Sequence, residues 1–397
     1  MFNTIGPAMT RELNCLWRDK KALAVVVLVP LLYTLLFGFL YSPHIVTNLK
    51  TAVIDYSPSQ LSRSVVAGFN QSDRFAVKYH LRDESEIKEL MERGDIDVVI
   101  IIPENFTRNI KKGRSSSIFM GVNAANMIVS NGAAASALQI TKTYSAGIVI
   151  KQLTAQGLLE EQAYNTANPI SISFRPWFNP TYNYTNYLLL GIISVALQQI
   201  YLMSVANSFA KEKEQGTFKE SGTDLSRLIS LAAGKVMVFF GFAVLSLLGV
   251  ALLAFKVFDI PLRGSFGLIL LMGMPFIVAV ISLGIILGVF SGNQVESTQN
   301  AMLMAYPTFL LTGFTWPLAA MPEILRMIAH CLPLTYFAEN FRKIALTGSD
   351  FAILQNEFLG LSILAAGYLL LAAASLKYAY CYKQGHRLPW GKRGKEC

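Results

Sequence analysis

Six long runs of apolar residues, nearly free of charge, constrain this chain more than any motif in it. About 20 such residues let an α-helix cross the hydrocarbon core of a bilayer with its backbone polar groups satisfied internally. The runs occupy residues 22–41, 186–208, 235–255, 267–290, 298–316 and 358–377. The second lies within a charge-free stretch from Pro176 to Ala210, and the third is bracketed by Lys235 and Lys256. Composition agrees: 53% of residues are hydrophobic and 15% charged, against about 25% charged in ordinary soluble domains. The expected fold is an α-helical polytopic membrane protein with six transmembrane helices. Ser115 to Thr141 also carries no charge, but Asn123, Asn126, Ser130, Asn131 and Gln139 make it too polar to span.

The formal charge of +9 is gathered at the flanks of the apolar runs, which points to membrane orientation and away from nucleic acid. Arg11, Arg18, Lys20 and Lys21 precede the first run. Lys211, Lys213, Lys219 and Arg227 follow the second, and Lys383, Arg387, Lys392, Arg393 and Lys395 follow the last. With six spans all three clusters share one side, so both termini are expected in the cytoplasm, of a cell inner membrane. The first run is too long for a signal peptide and ends in Leu40-Tyr41-Ser42-Pro43, without a small-residue cleavage pattern. It reads as an uncleaved anchor. Within residues 1–21, Ile5, Met9, Leu13, Leu16 and Trp17 share a helical face, with Arg11, Glu12, Asp19 and Lys20 elsewhere. That is the pattern of an interfacial helix on the cytoplasmic surface.

Residues 42–184, between the first two spans, have ordinary soluble composition and enough length for a core of their own. Strand patterns at Thr51–Tyr56, Phe75–Tyr79 and Asp97–Ile102 alternate with helical patterns at Ser59–Phe69 and Asp83–Arg93. A short helix from Pro103 to Ile110, a strand at Ser117–Val122 and a long Ala-rich helix follow. This reads as an inserted α/β extracytoplasmic domain. The scattered cysteines and histidines have no metal-ligand spacing and no disulfide framework is indicated. No Asp/Glu/His pair within the spans and no Ser-His set points to an intramembrane enzyme.

The cytoplasmic segment 209–234 opens Phe209-Ala-Lys-Glu-Lys-Glu-Gln-Gly-Thr-Phe-Lys-Glu-Ser-Gly-Thr. This charged, Glu-rich turn resembles the coupling segment of ABC-2-type exporter permeases. Ala52-Val-Ile-Asp-Tyr-Ser57 with Leu61-Ser-Arg63, and Gly94-Asp-Ile-Asp-Val-Val-Ile-Ile-Ile-Pro-Glu-Asn-Phe106, resemble that family's strand-helix and strand-proline-helix units. Gly313-Phe-Thr-Trp-Pro317, Met321-Pro322 and Leu332-Pro-Leu-Thr-Tyr-Phe337 resemble its last extracytoplasmic loop, all in the expected order. The resemblance covers nearly the whole chain. It implies an exporter of two permease subunits, a homo- or heterodimer, and two ABC ATPase subunits. A periplasmic adaptor and outer-membrane channel are further partners to consider in a Gram-negative envelope. The chain has no Gly-x-x-x-x-Gly-Lys-Ser/Thr motif, the nearest fragment being Gly234-Lys235-Val236. It is therefore expected to hold no cofactor and to be no enzyme itself, with ATP and Mg bound by the partner ATPase.

On that resemblance, Lys211, Glu212, Lys213, Glu214, Gly216 and Thr217 form the ATPase-coupling turn, Glu212 and Glu214 touching the ATPase and Gly216 and Thr217 shaping the turn. Closure of the ATPases pushes on it, and the two halves rock between inward-open and outward-open states. Gln198, Gln199, Asn207, Asn300, Thr308 and Thr312 are polar groups in or near hydrocarbon, either hydrogen-bonding between helices or lining a translocation path. Gly284, Gly288 and Gly292 recur every four residues, a spacing for close helix packing. Residues 317–355 read as a re-entrant extracytoplasmic gate with Pro317, Pro333, Tyr336 and Glu339, the last spaced to pair with Arg342. Residues 378–397 form a basic cytoplasmic tail. The cargo expected is a small amphipathic molecule, drug or lipid-like. The alternative is a membrane-anchored receptor or envelope assembly scaffold acting through residues 42–184.

Overall fold

In the computed structural model, which describes residues 2–42, 47–125, 127–167, 177–179, 183–215 and 225–383, the chain opens with helix α1, Phe2–Arg18. Asp19 caps α2, Lys20–Leu40, its carboxylate accepting the Ala22 backbone N–H at 3.2 Å. Helix α1 buries Ala8, Glu12 and Leu16 and leaves Leu13 and Trp17 exposed. The buried stripe, at i, i+4 and i+8, therefore differs from the apolar face read from the sequence. It runs through a glutamate because a lysine from another helix meets that carboxylate.

Residues Ile45–Arg175 form a compact unit of their own. In chain order it contains β1 (Leu49–Asp55), α3 (Gln60–Asn70), β2 (Phe75–Leu81), α4 (Ser85–Glu92), β3 (Val98–Ile102), α5 (Phe106–Lys111), β4 (Phe119–Val122), α6 (Met127–Ala155) and α7 (Glu160–Ala167). The sheet order is β2-β1-β3-β4; β1 runs parallel to β2 and β3, and β4 antiparallel to β3. All five residues of β3, Val-Val-Ile-Ile-Ile, are buried, as a parallel strand covered on both faces requires. Alternate residues feed two cores: Val98, Ile100 and Ile102 pack with Phe69 of α3 and Ala133 of α6, and Val99 and Ile101 with Ile87 and Leu90 of α4. Ser59 and Ser62 close a capping box at the start of α3. The charge-free stretch rejected as a span supplies β4 and the first half of α6.

The second unit comprises Met1–His44 and Pro176–Cys397. To α1 and α2 it adds α8 (Tyr184–Glu214), α9 (Leu225–Lys256), α10 (Phe266–Phe290), α11 (Gln294–Leu311), α12 (Glu323–His330), α13 (Pro333–Arg342) and α14 (Phe351–Lys383). Among the described residues, five helices are long and apolar enough to cross a membrane: α2, α8, α9, α10 and α14. The run expected as a further span at 298–316 forms α11, which ends at Leu311, ahead of Gly313 with φ 80°. Its first turns carry Gln294, Glu296, Ser297, Thr298, Gln299 and Asn300, and this polarity separates it from the other five.

Helices α8 and α10 are the most buried of the five, each 67% buried over its most apolar window, against 22% for α2 and 28% for α14. Glycine lets these two backbones touch. A Cβ on Gly284 would lie 2.8 Å from Val205 Cβ, and one on Gly288 would lie 2.5 Å from the Ala206 carbonyl. Gly292 lies past the end of α10 and donates its N–H to Glu296 at 2.7 Å. At one end of this bundle Asp19, before α2, meets Lys211, late in α8, while Phe290 of α10 meets Tyr378 of α14. At the other end Thr185 Oγ1 donates to the Tyr41 carbonyl at 2.6 Å.

Replacing Gly288 with leucine forces α10 off α8 and is expected to cost about 1–3 kcal/mol. Gly292→Ala displaces only the mobile end of the Glu296 side chain and should cost much less. Thermal melting of the two variants in one detergent measures the contrast.

Candidate functional site

Consecutive helical residues point about 100° apart, so four in a row sweep the whole circumference. Lys211, Glu212, Lys213 and Glu214, the last four residues of α8, use this to reach four directions. Lys211 Nζ donates to Asp19 Oδ2 at 2.6 Å, at the junction of α1 and α2. Glu212 faces Arg11 of α1 at 3.5 Å and Lys235 of α9 at 3.4 Å. Lys213 Nζ donates to the carbonyls of Val289 at 3.2 Å and Ser291 at 2.8 Å, a cation on the C-terminal end of α10. Glu214 accepts the backbone N–H of Gln294 at 3.0 Å and its side-chain N–H at 2.6 Å, an anion on the N-terminal end of α11. The Lys-Glu-Lys-Glu alternation thus matches the polarity of what each residue meets.

Beneath this lies a buried ion cluster. Side chains of Lys235 and Glu12 are 5% and 8% exposed and 2.9 Å apart. Lys235 Nζ also donates to Ser208 Oγ at 2.6 Å, and Ser208 donates to Glu12 Oε1 at 3.0 Å. The Phe209 ring centroid is 5.4 Å from the ammonium. The residue before the lysine makes the contact possible: a Cβ on Gly234 would sit 2.7 Å from Ala8 Cβ and 2.9 Å from the Met9 nitrogen. Gly234-Lys235, which occurs where a phosphate-binding fragment would be sought, holds α1 against α9. The Lys211 hydrogen bond, and after it the Ala22 N–H, holds the Asp19 carboxyl below its usual value of 3.8. That pair contributes stability above the ordinary aspartate range and loses it only as pH falls through the lowered value.

Sequence reasoning named the Lys211–Glu214 turn but not its partners. In the sequence Glu12 falls on a polar face and Lys235 at the flank of an apolar run. The available signal was a glutamate in a stripe with Ala8 and Leu16, and a Gly-Lys pair opening an apolar run. Both carboxylates expected to face an ATPase are engaged within the chain, and Gly216 and Thr217 lie outside the described residues.

Of the polar residues in hydrocarbon, the structure gathers part. Gln199 Nε2 donates to the Ala301 carbonyl at 3.2 Å, and Asn207 bonds Thr298 Oγ1 at 3.1 Å, so both sit on the seam of α8 with α11. Asn300 Nδ2 reaches Ser291 Oγ at 3.2 Å. Thr308 and Thr312 bond carbonyls of their own helix, Met304 and Phe309. Gln198 is buried, and its Oε1 has no hydrogen-bond partner among the described residues. In the expected gate, Pro317 precedes a short turn at Leu318–Ala320 and Pro333 opens α13. Tyr336 donates to the His330 carbonyl at 3.1 Å. The expected Glu339–Arg342 pair does not form. Glu339 pairs with Lys343 at 3.0 Å, one residue further on and better placed on the helix surface, while Arg342 turns to the rings of Tyr187 and Phe314.

A bundle of long apolar helices with its charge collected at one helix terminus defines a multi-pass membrane protein in which one helix end is tied to most of the others. The family described as ABC-2 family transporter protein matches residues 20–374, and the chain belongs to it. Over 349 residues the chain is 20% identical to the probable multidrug ABC transporter permease YbhS of Escherichia coli strain K12, covering 85% of this chain and 87% of that one. It is 24% identical over 377 residues to the inner membrane transport permease YhhJ of the same strain, covering 91% and 94%. With ABC transporter G family member 20 of Dictyostelium discoideum it shares 23% identity over 335 residues, 83% of this chain and 44% of that protein.

Lys235→Met leaves Glu12 and Glu212 facing an apolar side chain, and about 3–5 kcal/mol of stability should be lost. Adding Glu12→Gln removes the buried charge and should restore most of it, leaving Glu212 with Arg11. Thermal melting of the single and double variants checks this; equal melting of all three forms contradicts it.

Proposed function

We propose that this chain is the membrane-spanning subunit of an ATP-driven exporter, paired with a second permease copy or homologue and powered by separate ATPase subunits that bind ATP and Mg. The observation that carries the reading is the Lys211–Glu214 cluster, where one helix end is bonded to α1, α9, α10 and α11 and to the cap of α2. A push delivered there moves the bundle together and does not merely bend α8. The printed names of the relatives, multidrug ABC transporter permease and inner membrane transport permease, support the class of function. The want of a Gly-x-x-x-x-Gly-Lys-Ser/Thr sequence supports hydrolysis by a partner.

In this reading α11 is a sixth span in spite of its polarity. Its first half lies on α8, where Gln294 meets Glu214, Thr298 meets Asn207 and Ala301 meets Gln199, and past its end Phe314 meets Tyr187. The 18 residues of α11 make about 27 Å of helix, close to the thickness of the hydrocarbon core. In its polar first turns Gln294 and Thr298 bond α8 and not lipid, so part of the transfer cost is offset by hydrogen bonds. Six spans put both termini in the cytoplasm, where the basic flanks belong, and the unit Ile45–Arg175 outside it.

The ATPase bears on the outer face of α1, where Leu13 and Trp17 are exposed, and on the segment that follows Glu214 in sequence, with Gly216 and Thr217. Glu212 and Glu214 hold that turn to the bundle. Closure of the ATPases rocks the two permease copies, and an amphipathic cargo, drug or lipid-like, leaves the cytoplasm or inner leaflet along the α8–α11 seam. Copurification with candidate ATPases in lipid nanodiscs tests this. The native chain is expected to bind one and to raise its hydrolysis several-fold with cargo, and Glu212→Ala with Glu214→Ala to return hydrolysis to the basal rate. Failure of every ATPase to associate overturns the reading in favour of a scaffold acting through its α/β unit.

A further inference from the structure

Arg342 ends α13 at the end of the bundle opposite the Lys211–Glu214 cluster. Its guanidinium carbon lies 5.2 Å from the Tyr187 ring centroid and 4.9 Å from that of Phe314. Those two rings stack on each other at 5.6 Å, and Tyr187 Oη donates to the Phe314 carbonyl at 3.0 Å. The aromatic platform is therefore fixed before the arginine is placed on it. Arg342 Nη1 is buried without a hydrogen-bond partner, and among the described residues the side chain makes no ion pair. Glu339 and Glu357 both pair with Lys343, at 3.0 and 3.9 Å, and Asp350, nearer in sequence than Glu357, is exposed and forms no ion pair with Arg342. Residues 43–46 and 168–183, which flank the end of α2 and the start of α8 in sequence, contain no Asp or Glu.

A guanidinium does not lose its proton in a protein and presents five N–H donors in a fixed fork suited to carboxylate or phosphate. Ring faces attract the charge but accept none of those donors in the plane of the fork. A half-buried arginine held this way, with its neighbours' carboxylates diverted to a lysine, lacks an anion. Apolar surface lies beside it in sequence: Leu310 and Trp316, on either side of Phe314, are 59% and 58% exposed. We propose that Arg342, Tyr187 and Phe314 form a binding site for the anionic head of an amphipathic molecule, its phosphate taken by the guanidinium and its tail lying on the Leu310–Trp316 surface. This assignment stands whether or not the chain couples to an ATPase.

The test is native mass spectrometry of the full chain released from detergent with phosphatidylglycerol, phosphatidylcholine or inorganic phosphate. The native chain should retain one more phosphatidylglycerol than Arg342→Gln and the same number of phosphatidylcholines, with at least fivefold weaker phosphatidylglycerol affinity in the variant. Arg342→Lys, which keeps the charge and loses the fork, should fall between, and it decides the matter if Arg342→Gln does not fold. Loss of phosphatidylglycerol alone assigns a lipid-like ligand. Loss of inorganic phosphate as well assigns a site for the anion itself. Equal retention of both probes by the native and variant chains overturns the proposal.

Discussion

An ammonium group kept 5% exposed in an apolar bundle is tolerable only with carboxylates against it, and much of this fold follows from supplying them to Lys235. Glu12 must come from α1, so α1 has to lie on α9 at backbone distance, and Gly234 beside Ala8 gives the room. Glu212 must come from α8, which brings the last turn of that helix to the start of α9. Once α8 is anchored there, helical geometry carries Lys211 to Asp19, Lys213 to the end of α10 and Glu214 to the start of α11. A buried ion pair adds little stability over a well-packed apolar substitute, but its partners cannot slide past one another. What the cluster confers is register among helices distant in sequence.

The rest of the bundle is consistent with a body that moves as one piece. Gly284 and Gly288 let α10 and α8 touch along their buried faces, and α11 is stitched to α8 by Gln199, Asn207 and Glu214. The exposed apolar surface is densest on α2 and α14, open to lipid or to a second copy. A family member built this way has a firm handle at one end and, at the other, an aromatic-backed arginine with no acidic partner. In the proposed reading the two ends do different work on the same scaffold, the first receiving force and the second an anion.

How much of this could be read from the residues depends on the range of the interaction involved. Five apolar helices were legible because hydrocarbon selects on composition alone. The strands were legible because Val98 to Ile102 is β-branched throughout, and they form within a few residues of the runs that suggested them. Helix α11 starts and ends a turn ahead of the run that suggests it, because Gln294 and Thr298 bond α8 in a way that no local pattern reveals. The face that α1 buries in the protein is hidden for the same reason: Glu12 reads as a surface charge until Lys235, more than two hundred residues away, is set beside it. The Glu339–Arg342 spacing was a fair helical pair, yet Lys343 offered Glu339 a better one and the rings drew Arg342 away.

The central claim is that force applied at the end of α8 reaches α1 and α11 together. Pulsed electron paramagnetic resonance can measure this between spin labels on Cys15 and on Val295→Cys, both exposed positions, with the other cysteines replaced and an ATPase partner bound. The account predicts one α1-to-α11 distance in the nucleotide-free and ATP-trapped complexes, while distances between the two permease copies change. A shift of about one helical turn, ~5 Å, between the two labels within a single chain would show the cluster opening during the cycle and contradict it.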